Sequence, residues 1–501
     1  MSLATILSRT QHGLDAPLVR VEVHVGGGLP AFSIVGLPET AVKESKDRVR
    51  AALATCGHDL PSGHITVNLA PADLPKEGGR FDLPIAIGIL VASAQLPLQP
   101  FEGRELYGEL SLGGELHSIR GALPTALAAV RDGHGIVLPV ANLDEAGLVE
   151  GLVAHGAAHL VDVCRHARGL GELEVPTRHA WRPERWLGPD LADVRGQAGA
   201  RRALEIAAAG EHSLLLMGPP GSGKSMLAQR LPGLLPPLDE DAAIEAAALR
   251  SLTPAGFRLE DWRRRPFRSP HHSVSAIALV GGGGRPRPGE ISLAHRGVLF
   301  LDECAEIRLS ALEALRTPLE DGEIRLARRD GVVRYPARFQ LVMAANPCPC
   351  ARTDPRDCIC SSLDRRRYLG KLSGPLLDRV DLRVHLHTVR AGAFAAEAAE
   401  GSGAVRARVA QARAAAAERW RSYGFTTNAE VTGVVLRRRF RLDAAVMAPL
   451  KMALERGLLS IRGVDRSLRV AWTLCDLAGR TAPSVDDVTT ALSFRQTEVR
   501  G

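Results

Sequence analysis

Residues 213–225 read Ser-Leu-Leu-Leu-Met-Gly-Pro-Pro-Gly-Ser-Gly-Lys-Ser. The apolar start predicts a short buried strand, and the glycines after it let successive backbone N–H groups turn inward around an anion. Residues 226–231 then show helical spacing, and a glycine loop between a strand and a helix is the setting of a phosphate-binding loop. We therefore predict a nucleotide-binding loop made of Gly218, Pro219, Pro220, Gly221, Ser222, Gly223, Lys224 and Ser225.

The loop and the strand end that follows it have predicted chemical roles. Lys224 would reach the outer phosphates of ATP, and the Ser225 hydroxyl would ligate Mg²⁺. A second apolar run, residues 297–301, ends in Asp302 and Glu303. Acids at the carboxyl end of a parallel strand face the ligand crevice, although such acids also cap helices. We expect Asp302 to hold Mg²⁺ through water and Glu303 to act as general base on the attacking water.

Three further residues are predicted to sense or stabilise the γ-phosphate. A third apolar run, residues 339–345, ends in Asn346, which could orient a water there or simply form a turn. Arg379, just before another apolar stretch, reads either as an arginine finger that reaches a neighbouring subunit or as a surface ion-pair partner. From the C-terminal helical region we expect Arg469 to contribute, with Arg466 as its rival.

The 501 residues divide by pattern into several parts. Residues 191–390 alternate helix, apolar strand and glycine loop, which predicts an α/β core with a parallel sheet covered on both faces. Residues 1–173 read as mixed α and β, and the Pro-rich, charged residues 174–190 read as a linker. Residues 391–501 read as a helical domain with breaks near Gly424 and Gly463.

The formal net charge is +7, and arginine carries nearly all of the positive charge. Arginine pairs bidentately with phosphate, so the composition favours a polyanionic partner, unless the arginine content reflects only a compositional bias. The sequence has neither an apolar run of about 18 residues nor a signal-peptide pattern. We therefore expect a cytoplasmic protein with no membrane partner.

Four cysteines lie within residues 348–360: Cys348, Cys350, Cys358 and Cys360. Four thiolates can complete a tetrahedral Zn²⁺ site and order a loop that is too short to have its own core. The two-residue gaps of common zinc ribbons are absent, because one residue separates the members of each pair. A structural Zn²⁺ site, a redox pair and four unliganded cysteines therefore all remain open.

Taken together, these residues resemble AAA+ ATPases, and more narrowly the magnesium-chelatase-like ComM/YifB family. The resemblance covers nearly the whole chain and is most specific in residues 193–197, 202–210, 265–272, 285–295 and 335–339. It implies a P-loop ATPase core at 191–390, a Lon-protease-like domain at 1–173 and a helical lid at 391–501. It also implies a hexameric helicase that acts on single-stranded or branched DNA and promotes branch migration during natural transformation, with recombination proteins as partners.

The resemblance to Lon proteases stops at the catalytic pair. Lon-like proteases attack with a Ser that a Lys activates. Arg80 stands at the position that matches the Ser, and Leu123 at the position that matches the Lys. We therefore expect no peptide hydrolysis, and a structural, DNA-contacting or oligomerising role for this domain.

Two arginine-bearing segments are predicted to contact DNA. Residues 323–338 read as a β-hairpin with Asp-Gly at its turn, which places Arg328 and Arg329 near the tip. In related AAA+ motors a hairpin at this place lines the pore of the ring, although a solvated edge hairpin protected by charge would look similar. The glycine-rich residues 281–289 carry Arg285 and Arg287 and read as a second pore loop or as a disordered linker.

Two other functions fit parts of the pattern. A magnesium-chelatase motor subunit would share the ATPase core, but the Lon-like domain and the basic charge fit it poorly. An AAA+ protein remodeller stays open, since the missing Ser and Lys exclude only cleavage.

Overall fold

The computed structural model describes residues 2–36, 39–177, 186, 188–283, 286–328, 331–388 and 400–496. Contacts divide the chain into two compact units. Unit 1 comprises Met1–Arg182, Ala243–Trp262 and Ala327–Tyr335. Unit 2 comprises Pro183–Ala242, Arg263–Leu326 and Pro336–Gly501. The predicted linker 174–190 and the predicted boundary at 390 fall partly outside the described residues.

Strands and helices alternate along most of the chain. The strands are β1 (Ser2–Arg9), β2 (Leu18–Gly26), β3 (Ala31–Val35), β4 (His64–Ala70), β5 (Arg104–Leu106), β6 (Glu109–Leu110), β7 (Leu116–His117), β8 (Gly135–Pro139), β9 (Ala154–Ala157), β10 (Leu214–Met217), β11 (Phe267–Arg268), β12 (Gly281–Gly282), β13 (Arg287–Pro288), β14 (Val298–Leu301), β15 (Glu323–Arg328), β16 (Gly331–Pro336), β17 (Gln340–Ala345) and β18 (Leu382–His385). The helices are α1 (Thr40–Lys43), α2 (Ser45–Thr55), α3 (Asp82–Ala92), α4 (Ala122–Arg131), α5 (Leu143–Ala146), α6 (Leu160–Ala167), α7 (Ala198–Gly210), α8 (Lys224–Ala228), α9 (Glu240–Ser251), α10 (Ala276–Val280), α11 (Glu290–Leu293), α12 (Leu309–Glu313), α13 (Arg316–Asp321), α14 (Ser362–Leu369), α15 (Gly374–Leu377), α16 (Ser402–Trp420), α17 (Gly433–Arg438), α18 (Ala444–Glu455), α19 (Ile461–Leu477) and α20 (Val485–Gln496).

Within its described residues, unit 1 is built on a seven-stranded mixed sheet in the order β3-β4-β2-β1-β5-β8-β9. The alternating residues of β2 bury Val19, Val21 and Val23 on one face, as the period of two predicts. Nearly all of α3 is buried, which suits its apolar sequence and places it against β1 and β2. The mixed α and β character predicted for the N-terminal residues is thereby observed.

Most of α9 belongs to unit 1. Ala247 and Ala248 share a buried apolar cluster with Leu123 and Leu143. Ser251 completes the contact, because its carbonyl accepts from Gly121 N at 2.9 Å and its hydroxyl accepts from Leu123 N at 3.3 Å. In chain order, α9 lies between β10 and β11 of the other unit. Its apolar side chains nevertheless pack in the core of unit 1.

Arg80 and Leu123 are both buried in unit 1. The Arg80 guanidinium donates to the carbonyl of Arg120, and burial lowers the pKa of Arg80. Leu123 is fully buried on α4. Both side chains therefore belong to the interior of unit 1, and the absence of peptide hydrolysis stays a prediction from the sequence.

Within the described residues, unit 2 is built on a five-stranded parallel sheet in the order β11-β14-β17-β10-β18. Alternate residues of its strands enter two different apolar clusters: Leu214 and Leu216 lie in one, Leu215 and Met217 in the other. The sheet is therefore covered on both faces, which explains why its strands are continuous apolar runs. The α/β fold predicted for this region is confirmed.

The C-terminal residues of unit 2 are helical. Helix α16 ends at Trp420, and Gly424 follows in the left-handed region with φ of +75°. A break also lies near Gly463, as predicted, because α18 ends at Glu455 and α19 begins at Ile461. Gly463 itself lies in the first turn of α19, where its N–H donates to the Ser460 side chain at 3.1 Å. Over the part of the chain that is described, no helix combines the length and apolar character needed to cross a membrane.

Candidate nucleotide-binding site

The predicted phosphate loop joins β10 to α8 at the edge where the parallel strands end. Gly223 immediately precedes α8 with φ of +92°, a conformation that glycine adopts readily. A side chain at Gly218 would come within 2.7 Å of the Leu386 carbonyl, so only glycine fits there. Helix α8 ends at Ala228, earlier than the predicted helix through 231, and Pro232 begins a short 3-10 turn.

The Lys224 ammonium is buried where β10 and β17 end. It donates to the carbonyls of Gly218 and Pro219 at 2.7 and 2.9 Å and to Oδ1 of Asn346 at 3.0 Å. Burial lowers the pKa of Lys224, while the charges of Asp302 and Glu303 raise it. The loop lysine and the predicted sensing Asn are thus brought into direct contact.

Ser225 and Asp302 also meet. The Ser225 hydroxyl donates to Oδ2 of Asp302 at 2.5 Å. Oxygen atoms from these two side chains therefore lie together, as ligands of one Mg²⁺ would. The other carboxylate oxygen of Asp302 accepts from the backbone N–H of Glu303 at 2.9 Å, which fixes the orientation of the carboxylate.

Glu303 follows β14 with an exposed side chain and an unusual backbone. Its φ of +48° lies in the left-handed region, which costs a residue with a side chain about 1 kcal/mol or more. The carboxylate lies 2.9 Å from Nδ1 of His272. The predicted general base is therefore held by a residue that the sequence did not single out as part of the site.

Arg379 is buried within its own chain. Its guanidinium pairs with Glu320 on α13 and donates to the Pro375 carbonyl at 2.7 Å. Both readings made from the sequence remain open: Arg379 is an ion-pair partner in this arrangement, and it would have to leave Glu320 to reach another subunit.

Arg466 and Arg469 differ in their contacts. Arg466 donates to Oδ1 of Asp381 at 2.6 Å and to the Arg379 carbonyl at 3.0 Å. Burial lowers the pKa of Arg469, and its Nε is buried with no hydrogen-bond partner among the described residues. Arg466 is thus hydrogen-bonded within its own chain, whereas Nε of Arg469 is left without a partner among the described residues.

The four clustered cysteines come together at one point. Their sulfur atoms all lie within 4.8 Å of one another, with Cys348 at 3.4 Å from Cys350 and at 3.6 Å from Cys358. Sulfurs bound tetrahedrally at about 2.3 Å from Zn²⁺ would be about 3.8 Å apart. The separations are close to that value and far from the roughly 2 Å of a disulfide.

The residues predicted to contact DNA are described only in part. Arg287 is exposed on β13, which pairs with β12. Arg285 and Arg329 lie outside the described residues, as does the side chain of Arg328. In β16, Val333 and Tyr335 are buried, so one face of this predicted hairpin is covered.

Sequence reasoning missed several residues that support the site. Gln197 donates to the carbonyls of Ser222 in the phosphate loop and of His387 at 3.2 and 2.6 Å. His272 holds Glu303, and Asp381 holds Arg466. Gln197 and His272 fall inside the stretches that carry the family resemblance, which was the one signal available for them.

Three family models match the chain. The model described as magnesium chelatase, subunit ChlI, matches residues 190–394. The model described as subunit ChlI of Mg-chelatase matches residues 21–142, and that of the ChlI C-terminal region matches residues 399–495.

Full-length relatives narrow the assignment. The chain is 45% identical over 495 residues to the uncharacterised protein YifB of Escherichia coli, with 99% of this chain and 97% of that protein covered. It is 44% identical over 508 residues to competence protein ComM of Haemophilus influenzae, with 99% and 98% covered. The chain belongs to the ComM/YifB family of magnesium-chelatase-like AAA+ proteins. An uncharacterised protein of Mycobacterium tuberculosis is 57% identical over 506 residues, with both chains covered completely.

ComM/YifB membership agrees with the geometry of the site. AAA+ proteins use ATP and Mg²⁺, and the contacts of Lys224, Ser225 and Asp302 suit both. AAA+ proteins also commonly form oligomers.

Proposed function

We propose that this chain is a ring-forming, ATP-dependent DNA motor, a helicase or translocase that promotes branch migration of recombination intermediates during natural transformation. The observation that carries the proposal is the meeting of Lys224, Ser225, Asp302 and Asn346 at one edge of the parallel sheet. The competence name of the Haemophilus relative supports the biological setting.

The proposed chemistry is hydrolysis of ATP. Residues 218–225 would hold the phosphates, with Lys224 on the outer ones, and Ser225 and Asp302 would hold Mg²⁺. The ion supplies positive charge that offsets the charge of the reacting phosphates. Glu303 takes a proton from water while the oxygen of that water attacks the γ-phosphorus, and the electron pair of the broken P–O bond leaves on ADP. Asn346 would orient that water.

We propose that two arginines respond to the bound nucleotide in a hexameric ring. Arg379 would leave Glu320 and reach the γ-phosphate in the neighbouring subunit, where a cation stabilises charge in the transition state. Arg469 would act from the helical lid, 391–501. We prefer it to Arg466, because Arg466 is already committed to Asp381.

DNA contacts are proposed for Arg285 and Arg287 in the glycine-rich loop and for Arg328 and Arg329 in the hairpin of β15 and β16. The exposure of Arg287 and the net charge of +7 support phosphate binding without sequence preference. Single-stranded or branched DNA is the proposed substrate.

A structural Zn²⁺ ion is proposed at Cys348, Cys350, Cys358 and Cys360. The convergence of four sulfur atoms within 4.8 Å supports it. Zn²⁺ would cross-link a loop that has few apolar residues of its own, and so its role would be to fix the loop that follows Asn346.

The proposed domain division follows the sequence. Residues 1–173 would form the Lon-protease-like domain without a catalytic pair, 174–190 the linker, and 191–390 the ATPase core. The N-terminal domain would bind DNA or support the ring. We place the protein in the cytoplasm, where recombination proteins would be its partners.

A magnesium-chelatase-type motor subunit is the second candidate function. The family models favour it, as does 30% identity over 177 residues to the magnesium-chelatase 38 kDa subunit of Rhodobacter capsulatus, which covers 31% of this chain. The full-length match to ComM and the basic charge favour the DNA motor. No contact among the described residues favours an AAA+ protein remodeller in particular.

ATP hydrolysis by the purified protein, with and without single-stranded and four-way-junction DNA at low and moderate salt, tests the proposal. Stimulation that is strongest with the junction and falls with salt is expected, because phosphate contacts release counterions. Hydrolysis that no DNA stimulates would contradict the DNA motor. Stimulation by a porphyrin-binding partner instead would favour the chelatase function.

A further inference from the structure

One face of β16 is buried within unit 1. Residues 327–335, which include all of β16 except its last residue, belong to that unit. Val333 and Tyr335 are 2% and 1% exposed, whereas Val332 is 54% exposed, because successive side chains of a strand point to opposite faces. Burial raises the pKa of the Tyr335 phenol, and the charge of Glu77 in the same unit adds to this. Unit 1 therefore covers the face of β16 that carries Val333 and Tyr335.

Gly13 lies against this face of β16, in the turn of residues 10–17 that joins β1 to β2. A Cβ atom at Gly13 would lie 2.4 Å from Cγ1 of Val333 and 3.8 Å from Cε1 of Tyr335. Valine is branched at Cβ, so its methyl groups have little freedom to move away. Gly13 also has φ of +65°, a left-handed conformation that glycine adopts readily. Glycine is therefore the residue that lets the turn approach β16 so closely.

The turn of residues 10–17 is held in place by other contacts of unit 1. Nε2 of Gln11 donates to the Gly13 carbonyl at 2.7 Å. A side chain at Gly121 would come within 2.3 Å of Oε1 of Gln11, so the same amide packs against the start of α4. Arg9 is 3% exposed, and its Nη1 donates to the Ala16 carbonyl at 2.9 Å. The surface that meets β16 is therefore fixed on both sides of Gly13.

We propose that the turn of residues 10–17 is a seat for β16, and that unit 1 thereby holds the hairpin in the position in which it binds DNA. Arg328 and Arg329, two of the proposed DNA contacts, come directly before β16 in the sequence. A hairpin that is fixed beforehand loses less conformational freedom when it binds, so its affinity for DNA is higher. Gly13 is a positioning residue in this arrangement. The seat rests on the proposed function, since it needs DNA as the ligand of the hairpin.

Gly13→Ala tests the seat, because the added methyl group meets Val333 and should displace β16. The concentration of a single-stranded oligonucleotide that gives half-maximal stimulation of ATP hydrolysis should rise about ten-fold, while kcat without DNA stays the same. Gly103→Ala is the matched control in unit 1. Gly103 has φ of +68°, and a Cβ there would have no heavy atom of the described residues within 4 Å. It therefore adds the same backbone strain without the clash and should behave like the wild type. Equal responses of the two variants to DNA would overturn the seat.

A reversible cross-link tests whether β16 stays on the turn while DNA binds. In the Gly13→Cys, Val333→Cys double variant the Cβ atoms would be 3.7 Å apart, close to the roughly 3.8 Å of a disulfide. Oxidised glutathione takes up the two thiol hydrogens, and peptide mass spectrometry identifies the bond between positions 13 and 333. DNA should stimulate the cross-linked protein as much as the same protein after reduction. Wild-type protein treated with the same oxidant controls for its eight native cysteines. Failure of the bond to form, or a loss of stimulation that reduction reverses, would overturn the seat.

The wild type separates the seat from the proposed function. If DNA stimulates the wild type and Gly13→Ala responds as well as Gly103→Ala does, the seat alone has failed. If no DNA stimulates the wild type, the DNA motor has failed and the seat with it.

Discussion

Arg466 and Asp381 form an ion pair directly beside the proposed arginine finger, with Nη1 of Arg466 at 2.6 Å from Oδ1 of Asp381. Asp381 is 2% exposed. Burial acts to raise the pKa of Asp381, but the charge of Arg466 and a hydrogen bond with His212 hold it well below its usual range. The same arginine donates to the Arg379 carbonyl, so α19 is tied to the backbone of Arg379.

Loss of this pair should cost stability. Arg466→Ala removes the cation that is hydrogen-bonded to a buried carboxylate, which we expect to lower the free energy of unfolding by about 3 kcal/mol. Addition of Asp381→Asn should recover part of the loss, because the uncompensated charge is then removed. Urea midpoints of the single and double variants measure both effects. Arg437→Ala, which breaks the more exposed pair with Asp465, should cost about 1 kcal/mol or less; an equal cost would contradict the argument.

Lys224 and Glu303 should separate binding from hydrolysis. Lys224→Ala removes the ammonium at the phosphate loop and should weaken ATP binding by about 30-fold or more, as loss of a buried charged contact does. Glu303→Gln keeps the size of the side chain without a base, and hydrolysis should fall about 100-fold or more while binding is retained. Equilibrium binding of a fluorescent ATP analogue and single-turnover hydrolysis measure the two steps. Lys371→Ala, at a lysine whose side chain is 41% exposed, is the control, and rapid turnover by Glu303→Gln would remove Glu303 as base.

The strands of the site could be predicted from the sequence because each one is marked by a pattern within a few consecutive residues. The runs at 213–217, 297–301 and 339–345 are continuous and apolar, and β10, β14 and β17 each begin one residue later than predicted. Strands buried on both faces have this pattern whatever lies beside them.

The missed features depend on contacts between distant residues. Two such contacts are Glu320 with Arg379 and His272 with Glu303. From the sequence, these polar residues would be assigned to the surface, and only the fold brings each pair together. The break near Gly463 was predicted a few residues too late, because Ser460 caps α19 and Gly463 lies inside the first turn of that helix.

Glu145 should make the stability of unit 1 depend on pH. Burial raises the pKa of Glu145 from 4.5 to about 7, although hydrogen bonds with Ser251 and Asn142 act to lower it. The pKa of Glu145 is higher in the folded state than in the unfolded state. Its protonated carboxyl therefore stabilises the fold fully below about pH 4.5, and this stabilisation is lost as pH rises towards 7. Glu145→Gln should therefore match the wild type near pH 5 and be more stable by about 3 kcal/mol at pH 8.

Urea unfolding of the whole chain at the two pH values, followed by a probe in unit 1, measures the Glu145 difference. Glu102→Gln, at an exposed position of the same unit, should give the same difference from the wild type at both pH values. A Glu145→Gln protein whose advantage does not grow with pH would show that the carboxyl is not buried in its protonated form.

The cysteine cluster should hold Zn²⁺ after purification without chelators. We expect about one Zn²⁺ per chain by elemental analysis and much less in Cys350→Ser, because a tetrahedral site loses one of four ligands. Cys56→Ser removes a thiol outside the cluster and should leave the metal content unchanged. Wild-type protein that is free of zinc under reducing conditions would leave the four cysteines unliganded.

The arginine segments should set the salt dependence of DNA binding without affecting ATP hydrolysis in the absence of DNA. Arg287→Ala removes one exposed cation and should reduce the slope of log affinity against log salt by about one, as the loss of a single phosphate contact does. The Arg328→Ala, Arg329→Ala double variant should reduce the slope by about two and lower the stimulation by DNA. Arg258→Ala, at an arginine that is 67% exposed and pairs with Glu260, should change neither quantity. Slopes that stay at the wild-type value in both arginine variants would show that DNA runs elsewhere on the protein, because a contact that releases a counterion must appear in the slope.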